Sequence, residues 1–138
     1  AYDIRGRIGE TLTVEYAWTA GKAFADWLTN EGPVVIVTNK DASNEIKHAF
    51  IEGVLLLGRD VVDYGQRDKL VPNDVTDSKA AGAVVIGHDG VQNLEILTFY
   101  NVHGVAVTAD SGLTEISGLI DADNFLPAVD KGTLQQKA

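Results

Sequence analysis

The stretch GPVVIVTNKDASN, Gly32 to Asn44, sets the frame for the whole chain. Val34–Val37 is a continuous apolar run, β-branched throughout, which suits a strand covered on both faces. Gly32-Pro33 stops whatever precedes it. The polar run Thr38–Asn44 ends on Ser43 or Asn44, side chains that accept hydrogen bonds from the free N–H groups opening a helix. A buried strand, a polar loop and then a helix is the unit from which parallel sheets are built.

The flanking segments repeat that alternation. Before it, Val14, Ala17, Trp18, Gly21, Phe24, Ala25 and Leu28 follow the spacing of one helical face, with Thr13 as the expected N-cap. After it, Ile46, Ala49, Phe50, Gly53, Val54 and Leu57 form the face of a second helix ending at Gly58. VVDYG (61–65) reads as a short strand, residues 66–82 as a polar stretch with a short helix over 74–81, and AVVI (83–86) as a buried strand running into the loop GHDG. LEILTFY (94–100) and GVAVT (104–108) read as two strands of a hairpin turning at 101–104, followed by a helix over 114–122. The expected architecture is α/β: a three-layer α/β/α sandwich with a mainly parallel sheet and one antiparallel edge strand. Residues 1–126 would form the domain and 127–138 a linker-like tail.

Composition narrows the function classes. The 138 residues carry 20 acidic and 11 basic side chains, a formal net charge of −9, which repels phosphate backbones and anionic lipid. Neither a nucleic-acid nor a membrane partner is expected. No apolar run approaches the roughly 20 residues needed to span a bilayer, and a soluble cytoplasmic protein is the default expectation. With no Cys, disulfides, thiolate metal sites and a cysteine nucleophile are excluded.

Four stretches carry candidate chemistry. AYDIRGRIG (1–9) offers Arg5, whose guanidinium could clamp a phosphate or carboxylate, against the plainer reading of an edge strand with polar residues in water. His88 and Asp89 stand at the C-terminal end of a strand, where α/β proteins place ligands. Adjacency alone does not make them a base and its orienter, and two ligands fall short of a usual metal set unless His48 or His103 folds close by. TNKDASN (38–44) could hold an anion on helix-opening amides, but it has no glycine for close backbone approach. LLLGRD (55–60) is weak as a phosphate motif. Trp18, Phe24, Trp27 and Phe50 lie at helical spacing and read as core or near-core. His48 and His103 read as surface residues.

These elements in this order resemble the first domain of the α-D-phosphohexomutases, the phosphomannomutase/phosphoglucomutase family. AYDIRG (1–6) resembles that family's opening nearly letter for letter. LTVEYAWTAGKAFADWL (12–28) resembles its first helix, AFIEGVLLLGRDVVDYG (49–65) its second helix and next strand, and LPAVDKGTLQQ (126–136) the exit from its first domain. The resemblance implies a scaffold from enzymes that move a phosphoryl group on a hexose phosphate through a phosphoserine. In those enzymes Mg²⁺ is bound mainly by a second domain that lies outside this chain, so no cofactor is expected for this chain alone.

The same resemblance shows where the chemistry departs. Aligned without a gap, His88 stands at the phosphoserine, Asp89 and Gly90 at the His-Asn that follow it, and Val91 at the Pro. Glu95 and Ile96 stand at an Asn-Gly pair and Thr98 at a Lys. Thr38, Asn39 and Asp41 replace Arg, Asp and Arg of a second signature, of which Ser43 survives. Without the serine there is no ordinary phosphoserine intermediate, and without the cations a transferring phosphoryl group goes unneutralised. The expected function is therefore a domain of carbohydrate metabolism, inactive alone, that binds or interacts. Tyr2, Arg5, Ser43, His88 and Asp89 are its candidate ligand-binding residues, none is a confident catalytic residue, and none is a metal ligand. Its expected partners are a weakly bound sugar phosphate, a second copy or another chain, the latter two through the face the family covers with its second domain. The alternative is one domain of an active mutase with His88 as an unusual phosphoryl carrier. A small metal module at His88 and Asp89 is a third reading.

Overall fold

In a computed structural model describing residues 3–137, the buried run Val34–Thr38 (β2) sits near the middle of a six-stranded sheet. The elements follow in chain order: β1 (Ile4–Gly6), α1 (Val14–Trp27), β2, α2 (Asn44–Leu56), β3 (Val61–Gln66), α3 (Pro72–Asp77), β4 (Gly82–Asp89), β5 (Leu94–Tyr100), α4 (Thr114–Ala122) and β6 (Leu134–Gln136). The sheet order is β1-β5-β4-β2-β3-β6. β2 pairs in parallel with β3 and β4, and β3 in parallel with β6. β5 runs antiparallel to both β4 and β1, so the one reversed strand lies a place in from the edge.

Alternation along the strands explains the layers. Val34, Ile36, Val84, Ile86, Leu97 and Phe99 point to one face, where α1, α2 and α4 cover them in the main core. Val35, Val37 and Ala83 point to the other, beneath Val75 of α3 and Ala80. The two thick helices α1 and α2 cross in backbone contact. A Cβ added at Gly21 would fall against the carbonyl oxygen of Phe50, and one at Gly53 against that of Trp18. Only glycine at both positions permits that approach. The helix caps form as the sequence predicts: Thr13 Oγ1 accepts Tyr16 N–H at 3.0 Å, and Ser43 Oγ accepts Ile46 N–H at 3.3 Å.

Three elements differ from expectation. GVAVT forms no strand; a single bridge joins Tyr100 to Ala106, because β1 already occupies the outer edge of β5 from Glu95 to Leu97. The hairpin lies earlier: β4 runs on through His88 and Asp89 into a turn over 90–93 and returns as β5. The segment read as a linker carries β6, which pairs Leu134–Gln136 with Val61–Asp63. Trp18 is also more open than a core residue. It is 38% exposed, and Lys22 Nζ sits 3.7 Å from its ring centroid.

Candidate functional site

The carboxyl ends of β2 and β4 meet the start of α2, and there the chain gathers its chemistry. On β5 the inward face reads Glu95, Leu97, Phe99: a carboxylate where its two neighbours are core. Glu95 is 0% exposed. Its Oε2 accepts the backbone N–H of Ser43 at 2.6 Å, and its Oε1 lies 2.9 Å from His88 Nδ1 across the β4–β5 pair. The amide end of α2 does hold an anion, as TNKDASN suggested, and the anion is the chain's own. The His88 side chain is only 16% exposed. With Nδ1–H donated to Glu95, Nε2 is the ring nitrogen left for other contacts.

A second carboxylate flanks the same helix turn. Lys47 Nζ of α2 meets Asp63 Oδ2 of β3 at 2.8 Å, with Asp63 2% exposed, and Asp63 Oδ1 accepts Gly65 N–H at 2.8 Å. The first turn of α2 is thus pinned to β5 at Ser43 and to β3 at Lys47. Between these two strands, the buried hydroxyl of Thr38 finds no hydrogen-bond partner among the described residues.

The remaining predicted residues fall elsewhere. Asp89 points to the opposite face, and its Oδ1 accepts Val91 N–H at 2.9 Å and Gln92 N–H at 3.3 Å, closing the hairpin turn. Arg5 forks onto Asp3, with Nε to Oδ1 at 3.0 Å and Nη2 to Oδ2 at 2.9 Å. Asp3, and more weakly the charge of Asp89, hold the guanidinium above its ordinary pKa. Tyr2 lies outside the described residues. Ser43 and His88 are therefore brought together through Glu95, while Arg5 and Asp89 are engaged separately. His48 and His103 are exposed, and among the described residues no group of three His, Asp or Glu side chains could hold a metal ion. Arg59 of LLLGRD instead donates to the carbonyls of Asn30, Gly32, Leu28 and Ala25 at 2.8–3.4 Å, closing the end of α1.

In the sequence Glu95 stands out only as the residue at the Asn of an Asn-Gly pair, which misses its role. The signal was available: alternation in LEILTFY sets a Glu on the same face as Leu97 and Phe99, and a charge on a buried face needs partners.

Comparison with known proteins shows what the chain is similar to. The family described as phosphoglucomutase/phosphomannomutase, alpha/beta/alpha domain I, matches residues 1–88. A phosphomannomutase of Salmonella montevideo is 30% identical over 99% of the chain, which covers 31% of that protein. One of Klebsiella pneumoniae is 28% identical over 99% of the chain and 89% of that relative. A solved phosphoglucomutase/phosphomannomutase family protein of Burkholderia thailandensis superposes with a TM-score of 0.71 at 27% identity, over 99% of this chain and 32% of that one. The chain thus spans about a third of the length of most curated relatives it matches.

Proposed function

This chain belongs to the phosphoglucomutase/phosphomannomutase family and matches its alpha/beta/alpha domain I, and from that premise we propose that it is a non-catalytic form of that domain, kept for binding or interaction. One observation carries the reading: the buried Glu95 carboxylate bonds both His88 Nδ1 and Ser43 N–H. Phosphoryl transfer needs cations and amide N–H groups aimed at the developing negative charge. Here the helix-opening amide is taken by a carboxylate, which repels a phosphoryl group instead of drawing one in. His88 is then a side chain at a vacated nucleophile position, held as part of the fold.

What remains is a scaffold with polar residues at the strand ends. Tyr2, Arg5, Ser43, His88 and Asp89 are the residues proposed to meet a ligand. Ser43 and His88 are held by Glu95, Arg5 by Asp3 and Asp89 by its own turn, so a sugar phosphate there is bound only weakly. A second copy or another chain would use the face that the family covers with its second domain. The domain is proposed to span residues 1–126, with 127–138 leading out of it along the sheet edge, where it adds β6. Turnover of glucose-1-phosphate and mannose-1-phosphate, with Mg²⁺ and a hexose bisphosphate, tests the reading. Background rates support it, and robust turnover that survives purification sinks it.

A second reading draws on the same geometry. An imidazole oriented through Nδ1 by a carboxylate presents Nε2 as a nucleophile. Attack on a sugar bisphosphate would break the donor P–O bond, form P–Nε2 and release the sugar hydroxyl, which takes its proton from solvent. Among the described residues Glu95 pairs with His88 and with no Lys or Arg, which weighs against it, and phosphate on His88 that is lost in His88→Ala would establish it.

A further inference from the structure

The opposite face of the sheet carries a second polar site, built around Tyr64 near the end of β3. Its ring packs with the small cluster under α3. Its hydroxyl is anchored by the Asp74 carbonyl at 3.3 Å and by Ser78 Oγ, so the ring is a fixed floor. Two cations stand over that floor: the Arg67 guanidinium and the Lys137 ammonium, each 5.1 Å from the ring centroid. Gln66 completes the lining of the hollow. Pairing of β3 with β6 brings Lys137 here, its backbone N–H donating to Asp63 O at 2.8 Å.

The charge balance of the hollow is positive in a chain of net charge −9. Among the described residues the acid paired with its cations is Asp74: Oδ1 takes Arg67 Nη1 at 3.2 Å and Oδ2 takes Val71 N–H at 2.9 Å, so both oxygens are engaged. Asp63 points to the α2 side and is spent on Lys47. Among the described residues, Lys137 has no acidic partner, and Nε and Nη2 of Arg67 have no acceptor. Two cations held over one ring repel each other. An ammonium, the spare edge of a guanidinium and a side-chain amide converging on one hollow fit an oxyanion bridging them.

We propose that Gln66, Arg67 and Lys137 form a binding site for a small oxyanion of the phosphate class, on the face of the sheet away from the His88–Glu95 pair. It does not depend on whether His88 is inert or a phosphoryl carrier.

The test titrates ¹⁵N-labelled protein with inorganic phosphate at constant ionic strength, set with chloride. Saturable shifts at the amides of residues 64–67 and 137 are expected. Lys137→Gln, on an exposed residue that cannot unfold the sheet, should weaken apparent affinity at least threefold, and Arg67→Gln with Lys137→Gln at least tenfold. Shifts that fail to saturate, that ignore both substitutions, or that centre on Ser43 and His88 would overturn it.

Discussion

Glu95 Oε2 accepts the Ser43 backbone N–H at 2.6 Å, so a carboxylate buried in the sheet caps the helix that packs on it. The same carboxylate holds His88 at 2.9 Å, which ties β4, β5 and α2 into one unit. Removing it leaves a buried N–H and an imidazole without a partner, besides a cavity. Glu95→Ala should cost about 2–4 kcal/mol, read as a lowered urea midpoint. Glu95→Gln, which keeps one acceptor, should cost less than the alanine. Equal stability of the alanine variant would mean the contact contributes nothing net.

The crossing of α1 and α2 predicts a contrast among glycines. Gly21→Ala and Gly53→Ala each drive a methyl into the facing backbone and should destabilise by about 2 kcal/mol or more, in the range of overpacking. Gly118→Ala, on the exposed side of α4 with nothing near its Cβ position, should instead stabilise by about 0.5–1 kcal/mol, the helix preference of Ala over Gly. Thermal denaturation of the three variants distinguishes close approach from propensity.

That crossing also shows what a sequence can and cannot convey. The apolar face that includes Gly21 and Gly53 is legible as periodicity, and so is the buried strand Val34–Val37. Which glycines touch backbone is set by the crossing itself, a tertiary fact. The hairpin was misplaced because Gly87 and Gly90 look like loop boundaries, whereas cross-strand pairing of His88 with Glu95 and Asp89 with Leu94 carries β4 past Gly87. The site was half legible: the position of His88 at a strand end could be read, but its partner came from a strand whose register the sequence does not state.

Alkaline pH should expose two partly buried phenols. Burial raises the pKa of Tyr16, helped by the charge of Asp121, and burial alone raises that of Tyr100, both from an ordinary value of 10.0. Between that value and the raised one, the unfolded chain has lost a proton that the folded chain keeps. Stability therefore falls as pH rises through that window and is unaffected by these groups below it. Tyr16→Phe and Tyr100→Phe should each flatten the fall above pH 10.0 in urea midpoints taken across the range.

Arg59 offers a test of geometry against charge. Its guanidinium, whose charged form burial disfavours, reaches four backbone carbonyls around the end of α1. Lysine keeps the charge but lacks the planar fork. Arg59→Lys and Arg59→Met should both lose about 1–3 kcal/mol, the cost of leaving partly buried carbonyls unpaired. Full rescue by lysine would show that charge alone suffices.

The most direct measurement of the central claim is the phosphorylation state of His88. The protein is incubated with a hexose bisphosphate and Mg²⁺, kept at alkaline pH to preserve a phosphoramidate, and examined by intact-mass and fragment mass spectrometry. An inert pair held by Glu95 predicts an unmodified chain at every time point. A phosphate mass on the peptide bearing His88, absent from His88→Ala, would contradict it.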